Sequence, residues 1–324
     1  MGKYILRRLL LLLPTLVGMS LLIFFMVHLM PGDIVDAMIG ADPLATPEAK
    51  AALRRSFGLD EPLLLQYVRW IAGIVQGDFG KSFRTNQPLA QNLLQCLPIT
   101  IELACLAVFM SVIVAVPLGV LSAIKRNSQI DFWARIAGLL GLAFPNFWLA
   151  TMFLLITSVI FHWVPSIFWV SPLQDPGGNL QQMFLPALAL SVQLMAIEMR
   201  MARTTMLEVL RADYIRTARA KWLRDSVVYF KHALKNAMIP VITVIGIQLG
   251  GLMGGSVIIE QIFGLPGVGW YLLQGILNRD YPVVQATVLF LATVFIVMNL
   301  IVDLAYAFLD PRIKYTLNCI HVDM

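Results

Sequence analysis

Residues 207–239 read LEVLRADYIRTARAKWLRDSVVYFKHALKNAMI, a basic, helix-prone stretch between two long apolar runs. Nine cations lie from Arg200 to Lys235: Arg200, Arg203, Arg211, Arg216, Arg219, Lys221, Arg224, Lys231 and Lys235. A charged residue costs about 2.5–3.5 kcal/mol at the centre of a spanning helix. The stretch therefore sits in water, and its positive charge assigns it to the cytoplasmic side. A structured basic loop on a chain with no reactive site of its own reads as a place where another protein docks.

The rest of the chain is made for lipid. Of its 324 residues, 59% are hydrophobic and 13% are charged, where soluble domains carry about 25% charged residues. The mean hydropathy is +0.78. The chain reads as an all-α integral membrane protein. Its net charge of +5 does not point to nucleic acid, because the cations flank the apolar runs, where topology accounts for them. Cys96, Cys105 and Cys319 have neither metal nor redox spacing; the first two face lipid or the helix bundle.

Six spanning helices are expected, near 9–30, 99–124, 132–161, 183–206, 238–260 and 283–309. The run at 9–30, behind Lys3, Arg7 and Arg8, is too long for a signal-peptide core and reads as a retained first span. The third run is long for one crossing, so it tilts or bends at Pro145. The fourth is polarised by Gln193, Glu198 and Arg200, and is expected to start near Pro186 and run out into the cytoplasm as a helix. With both termini inside, the inner segments hold 17 of the 24 Lys and Arg residues. Six of the others share the outer loop 31–97, and long loops weigh little in this rule. The division is thus an N-terminal segment and first span (1–30), an extracytoplasmic loop (31–97), a five-helix domain (98–315) with the basic loop 207–238, and a tail (316–324).

The outer loop contains a helix start at Thr46-Pro-Glu48 and an amphipathic stretch at 63–80. Trp163, Phe168 and Trp169 suit an interfacial belt. Residues 264–281 read as a turn followed by a helix too short to span, lying at or dipping into the outer interface. Glu102 and Glu260 sit near the outer ends of spans, within reach of water. Asp303 reads as an interhelical polar contact before a substrate or proton site. His28 and His162 are too isolated to suggest a metal. Gly246, Gly250 and Gly254 recur at four-residue steps, which lets helices approach closely; a movable seam between subunits and ordinary packing within the chain both fit. Gly80-Lys81-Ser82 is a chance fragment of a phosphate loop, since residue 75 is Val.

Within the basic loop, Tyr214, Ile215 and Leu223 supply an apolar face. Ala218 and Ala220 are small enough for close approach, and Arg216, Arg219 and Lys221 suit a partner's carboxylates. The run Asp213-Tyr-Ile-Arg-Thr-Ala-Arg-Ala-Lys221, followed by His232-Ala-Leu-Lys-Asn-Ala-Met-Ile-Pro240, closely resembles the signature loop of binding-protein-dependent ABC importer permeases. Further matches to the dipeptide/oligopeptide/nickel branch follow in order. They are Tyr4-Ile-Leu-Arg-Arg8 with His28-Leu-Met-Pro-Gly-Asp33, Phe57-Gly-Leu-Asp60, Gly77-Asp-Phe-Gly80, Arg279-Asp-Tyr-Pro-Val-Val-Gln285, Asn299-Leu-Ile-Val-Asp303 and Asp310-Pro-Arg-Ile-Lys-Tyr315. The resemblance covers 1–315 and implies a type I ABC importer permease architecture, N-in and C-in, in a bacterial or archaeal inner membrane.

The resemblance further implies a non-catalytic subunit with no cofactor of its own. A second permease would share the pathway, two ATP-binding subunits would hold ATP and Mg²⁺, and an extracytoplasmic binding protein would deliver the cargo. Asp213, Tyr214, Ile215, Arg216, Thr217, Ala218, Arg219, Ala220, Lys221 and Trp222 would form the ATPase-coupling segment. Trp222 stands where the family usually has Gly, so the chain there either takes a strained backbone or continues the helix. Peptides are the expected cargo, with glutathione, nickel chelates, opines and oligosaccharides behind them. An ATP-independent transporter or channel and a membrane scaffold are the other classes.

Overall fold

A computed structural model describes residues 2–29, 35, 46–56, 58–166 and 168–309, and the side chains of these except for 2–11, 255 and 303–309. Among the described residues every regular element is helical, apart from one isolated antiparallel bridge between Lys81 and Pro88. The chain forms two compact units, one built on 101–265 with the segment from 297, the other on 2–100 with 266–296. Both boundaries on long helices fall inside the helix rather than at a loop.

In the second unit, α1 (Gly2–His28) packs on α3 (Leu63–Val75). Phe24 lies edge-on to Tyr67 at 5.4 Å. Ser20 shares a 2.9 Å hydrogen bond with Tyr67, and His28 Nε2 lies 3.2 Å from Gln66 Oε1. Between them, α2 (Pro47–Ser56) begins as expected, with Thr46 Oγ1 accepting from the Ala49 N–H at 3.2 Å.

The next helix, α4 (Leu89–Ile124), starts ten residues before the expected span. Its early turns bury Leu89, Leu93 and Cys96 at helical spacing, against Val268, Val283 and Ala286. An amphipathic prelude has thus been welded onto an apolar span, which a hydropathy window alone cuts off.

The long third run bends. α5 (Gln129–Ala143) and α6 (Asn146–Phe161) meet at 99°. Proline disfavours helical geometry in the residue before it, and Phe144, before Pro145, is extended at φ −96°, ψ 128°. α7 (Pro176–Val209) also starts earlier than expected. Asp175 caps it by accepting from the Gly178 N–H at 3.0 Å, and Pro176 occupies the first turn, where its missing N–H costs nothing. Pro186 therefore lies inside the helix rather than at its start. α7 is the hub of the first unit. A Cβ on Gly119 of α4 would come within 2.8 Å of Ala202 Cβ, and one on Gly141 of α5 within 3.1 Å of Ala196 Cβ, so these glycines permit the close approach.

After α8 (Asp213–Ala220), the helix resumes well before the expected 238. α9 (Asp225–Val227) runs through a π turn at Val228–Ala233 into α10 (Leu234–Gly255), and Asp225–Gly254 is apolar enough to span. The non-helical part of the basic segment is therefore much shorter than 207–238. Ser256 breaks the expected fifth span, and α11 (Val257–Phe263) follows it. Glu260, expected to reach water, is fully buried and accepts from Ser256 Oγ at 2.7 Å.

The short helix expected within 264–281 is α12 (Val268–Leu277), and α13 (Tyr281–Leu309) closes the described chain. The side chain of Asp303 and residues 310–324 lie outside what is described. Among the described residues four helices are long and apolar enough to cross a membrane, and the bent α5–α6 pair, counted as one span, raises this to five. The described apolar part of α1, Leu12–His28, is shorter.

Candidate functional site

α8 is held to its own chain by one face and open on the other. Ile215 is fully buried and Ala218 nearly so. They pack with Val120 and Ala123 of α4, Met206 of α7, Val228 and Ala233 of the π turn and Ala237 of α10. This corrects the sequence reading. Ile215 and Ala218 are part of the internal packing, whereas Tyr214, Ala220 and Leu223 remain on the surface.

The open face carries Asp213, Tyr214, Arg216, Thr217, Arg219, Ala220 and Lys221. Asp213 in the first turn and Arg219 in the last complement the helix dipole. Arg216 lies 3.4 Å from Asp213, with both side chains largely in solvent, so the pair contributes little to stability and leaves the guanidinium free to meet another carboxylate. Tyr214 is aimed rather than loose, because its hydroxyl accepts from Asn236 Nδ2 at 2.8 Å.

Trp222 takes the strained option. Its N–H bonds to the Arg219 carbonyl at 2.9 Å and its φ is +56°, the left-handed geometry that ends a helix. A non-glycine residue there costs about 1–2 kcal/mol. The indole is 95% exposed, and Leu223 and Phe230 are exposed nearby in sequence.

A charged cluster, not singled out from sequence, ties α4, α5 and α7 together. Asp131 is fully buried and accepts from Ser122 Oγ at 2.6 Å, Arg203 Nε at 2.7 Å, Arg203 Nη2 at 3.1 Å and the Asn127 N–H at 3.0 Å. The one legible signal was an Asp heading an apolar run, since such a carboxylate must find a cation once buried. Glu198, read as polarising its span, is wholly internal. Ser111 Oγ donates to its Oε1 at 3.0 Å, and Oε2 has no partner among the described residues.

The glycine series divides as well. A Cβ on Gly246 would overlap the Val302 side chain, so this glycine serves packing within the chain. Gly250 is buried. Gly254, with Gly251, would meet nothing within 4 Å and faces open space.

In the second unit, Asp280 fastens the turn at 82–84. It accepts from Ser82 Oγ at 2.5 Å and from the N–H groups of Phe83 and Arg84 at 3.3 and 3.4 Å. Asn92 Nδ2 donates to Tyr271 at 3.2 Å. His28 is engaged with Phe24 and Gln66, and among the described residues no group of three His, Cys, Asp or Glu side chains is placed to hold a metal.

A short basic helix is thus anchored at the ends of several long apolar ones. Residues 115–315 match the family described as "Binding-protein-dependent transport system inner membrane component", and residues 1–104 match its N-terminal companion, "Binding-prot-dependent transport system membrane comp, N-term". The chain is similar to the dipeptide transport system permease protein DppB of Alkalihalophilus pseudofirmus, at 41% identity over 97% of this chain and 100% of the relative. It is similar to DppB of Escherichia coli K12 at 40% identity, over 97% and 99%. Its fold is like that of a chain of the MetNI methionine ABC transporter, with TM-score 0.54 and 17% identity over 68% of this chain and 97% of that one.

The chain belongs to the binding-protein-dependent transport family, as a multi-pass permease subunit of an ABC importer. Such a permease is not itself an enzyme. It works with separate ATP-hydrolysing subunits, a substrate-binding protein and a second permease.

Proposed function

We propose that this chain is one of two related permeases that enclose a pathway for di- or oligopeptides across a bacterial or archaeal inner membrane. Two ATPase subunits, which carry the ATP and Mg²⁺, bind beneath the pair, one of them on this chain's basic loop, and an extracytoplasmic binding protein supplies the peptide. The names of the relatives support the cargo class. Six spans with both termini inside follow from the charge asymmetry, with α1 as the first span and the α5–α6 pair as the third.

The observation that carries the coupling role is the two-faced α8. Its outer face offers Tyr214, Arg216, Arg219 and Lys221 to a partner, while Ile215 and Ala218 are embedded among α4, α7 and α10. A displacement of the outer face therefore moves three long helices together, because a close-packed contact transmits strain rather than absorbing it. Alternating access follows: closure of the ATPases on ATP turns the pathway outward to take peptide, and hydrolysis returns it inward.

Pull-down of the detergent-solubilised chain tests this. The native chain should co-purify with an ATPase, and joint change of Tyr214, Arg216 and Arg219 to Ala should abolish co-purification while the elution volume stays unchanged. A folded native chain that recovers no ATPase would overturn the reading. Uptake by vesicles lacking every ATPase would do the same, in favour of an ATP-independent transporter.

A further inference from the structure

We infer that the cavity of about 350 Å³ between α5 and α7 is a binding site for the phosphate of an anionic phospholipid of the inner leaflet. Its walls are of two kinds. At one end stand Arg135 of α5 with Arg200 and Arg203 of α7; along the rest run Leu139, Leu142 and Met199.

The charge of this end is not balanced by the protein. Asp131 is the carboxylate that meets these arginines, and it is spent on Arg203, Ser122 and the Asn127 N–H. Arg135 lies 3.6 Å from the same carboxylate, yet half of its side chain remains exposed. Arg200 is exposed, and its guanidinium has no partner among the described residues. Glu198 is turned toward Ser111 of α4. Against three guanidinium groups stands one buried carboxylate, leaving an excess of two positive charges at the mouth. Guanidinium forks match phosphate oxygens.

The apolar remainder selects the kind of anion. Leu139 is 68% exposed and continues the cavity outward, which suits an acyl chain and offers nothing to a free inorganic ion. Trp133, exposed two residues before Arg135, is of the aromatic type that favours the headgroup level of a bilayer. Basic pockets between spans on the inner side attract anionic headgroups, at about 1 kcal/mol per cation. The choice of leaflet rests on the N-in orientation proposed above; the binding chemistry does not.

The test uses the complete purified transporter in mixed micelles of phosphatidylglycerol and phosphatidylcholine, with retained lipid read by native mass spectrometry. The native complex should hold phosphatidylglycerol in preference. Arg135→Gln with Arg200→Gln should lower retention by about thirtyfold, at roughly fivefold per cation, and Arg200→Lys should restore part of it. Equal retention by native and double variant of the same elution volume overturns the site. So does displacement of the lipid by inorganic phosphate, which would mark a free-anion site.

A photoreactive side chain at position 139 should label lipid; labelling of the second permease instead overturns the proposal in favour of a subunit contact. ATPase co-purification is read on the same samples. Loss of the ATPase from the native preparation counts against the importer reading, while lipid retention by the isolated chain still reports on this cavity.

Discussion

Three side chains, Trp222, Asp131 and Arg203, stand where residues of their type are costly. Trp222 is held in left-handed geometry and projects almost entirely into solvent, a combination that costs stability in the free subunit and is offset only if the indole is buried elsewhere. Trp222→Gly should raise the stability of the isolated chain by up to about 1 kcal/mol, less than the strain removed, because glycine also loosens the unfolded chain. The same change should weaken ATPase association by at least about tenfold, the loss of an aromatic anchor being worth roughly 2 kcal/mol. Thermal melting and a binding titration read the two effects separately, and unchanged affinity would remove Trp222 from the interface. Arg203 and Asp131 behave in the opposite way, as an internal fastening. Asp131→Asn leaves a guanidinium without its counter-charge and should cost about 3–5 kcal/mol, seen as a lower melting temperature. Adding Arg203→Gln should recover part of that loss, since paired residues are not additive.

At the scale of elements, the glycines discriminate between two kinds of helix contact. Gly246→Ala meets Val302 and should destabilise the isolated chain by about 1–3 kcal/mol. Gly254→Ala meets nothing in this chain and should leave its melting unchanged; any loss of co-purification with the second permease would then locate a subunit contact at that face. The helices themselves were largely legible, because apolar runs with few charges leave a membrane chain little choice. The bend at Pro145 was legible too, from one residue type. The true starts of α4 and α7 were not. Leu89 and Leu93 belong to an amphipathic turn, and Asp175 with Pro176 forms a cap; neither registers as hydrophobic length. The spacing of Gly246, Gly250 and Gly254 reads as a set, but Gly119 and Gly141, which admit the hub helix closely, lie on different helices and share no sequence period. In the basic loop the residue types were legible and their sides were not. Ile215 and Tyr214 are neighbours of similar character, and only the helix phase sends one inward and the other out.

For the whole molecule, the N-in reading makes a direct prediction. In a chain whose three native cysteines are replaced by serine, a cysteine at position 216 should react with a membrane-impermeant thiol reagent only from the cytoplasmic side. One at position 173 should react only from outside; both residues are exposed. Reversed labelling would invert the topology and place the arginine cavity in the other leaflet. α4 and α13 run through residues 100 and 296 without a loop. The same economy holds at α8. Three residues, Leu210 to Ala212, lead into it from α7, and four, Lys221 to Arg224, lead out to α9. Connections this brief behave as taut cords. Lengthening the second with a Gly-Ser insert after Leu223 introduces slack, and fuel would then be consumed without cargo moving: the ATPase would stay bound and keep turning over while peptide uptake falls away.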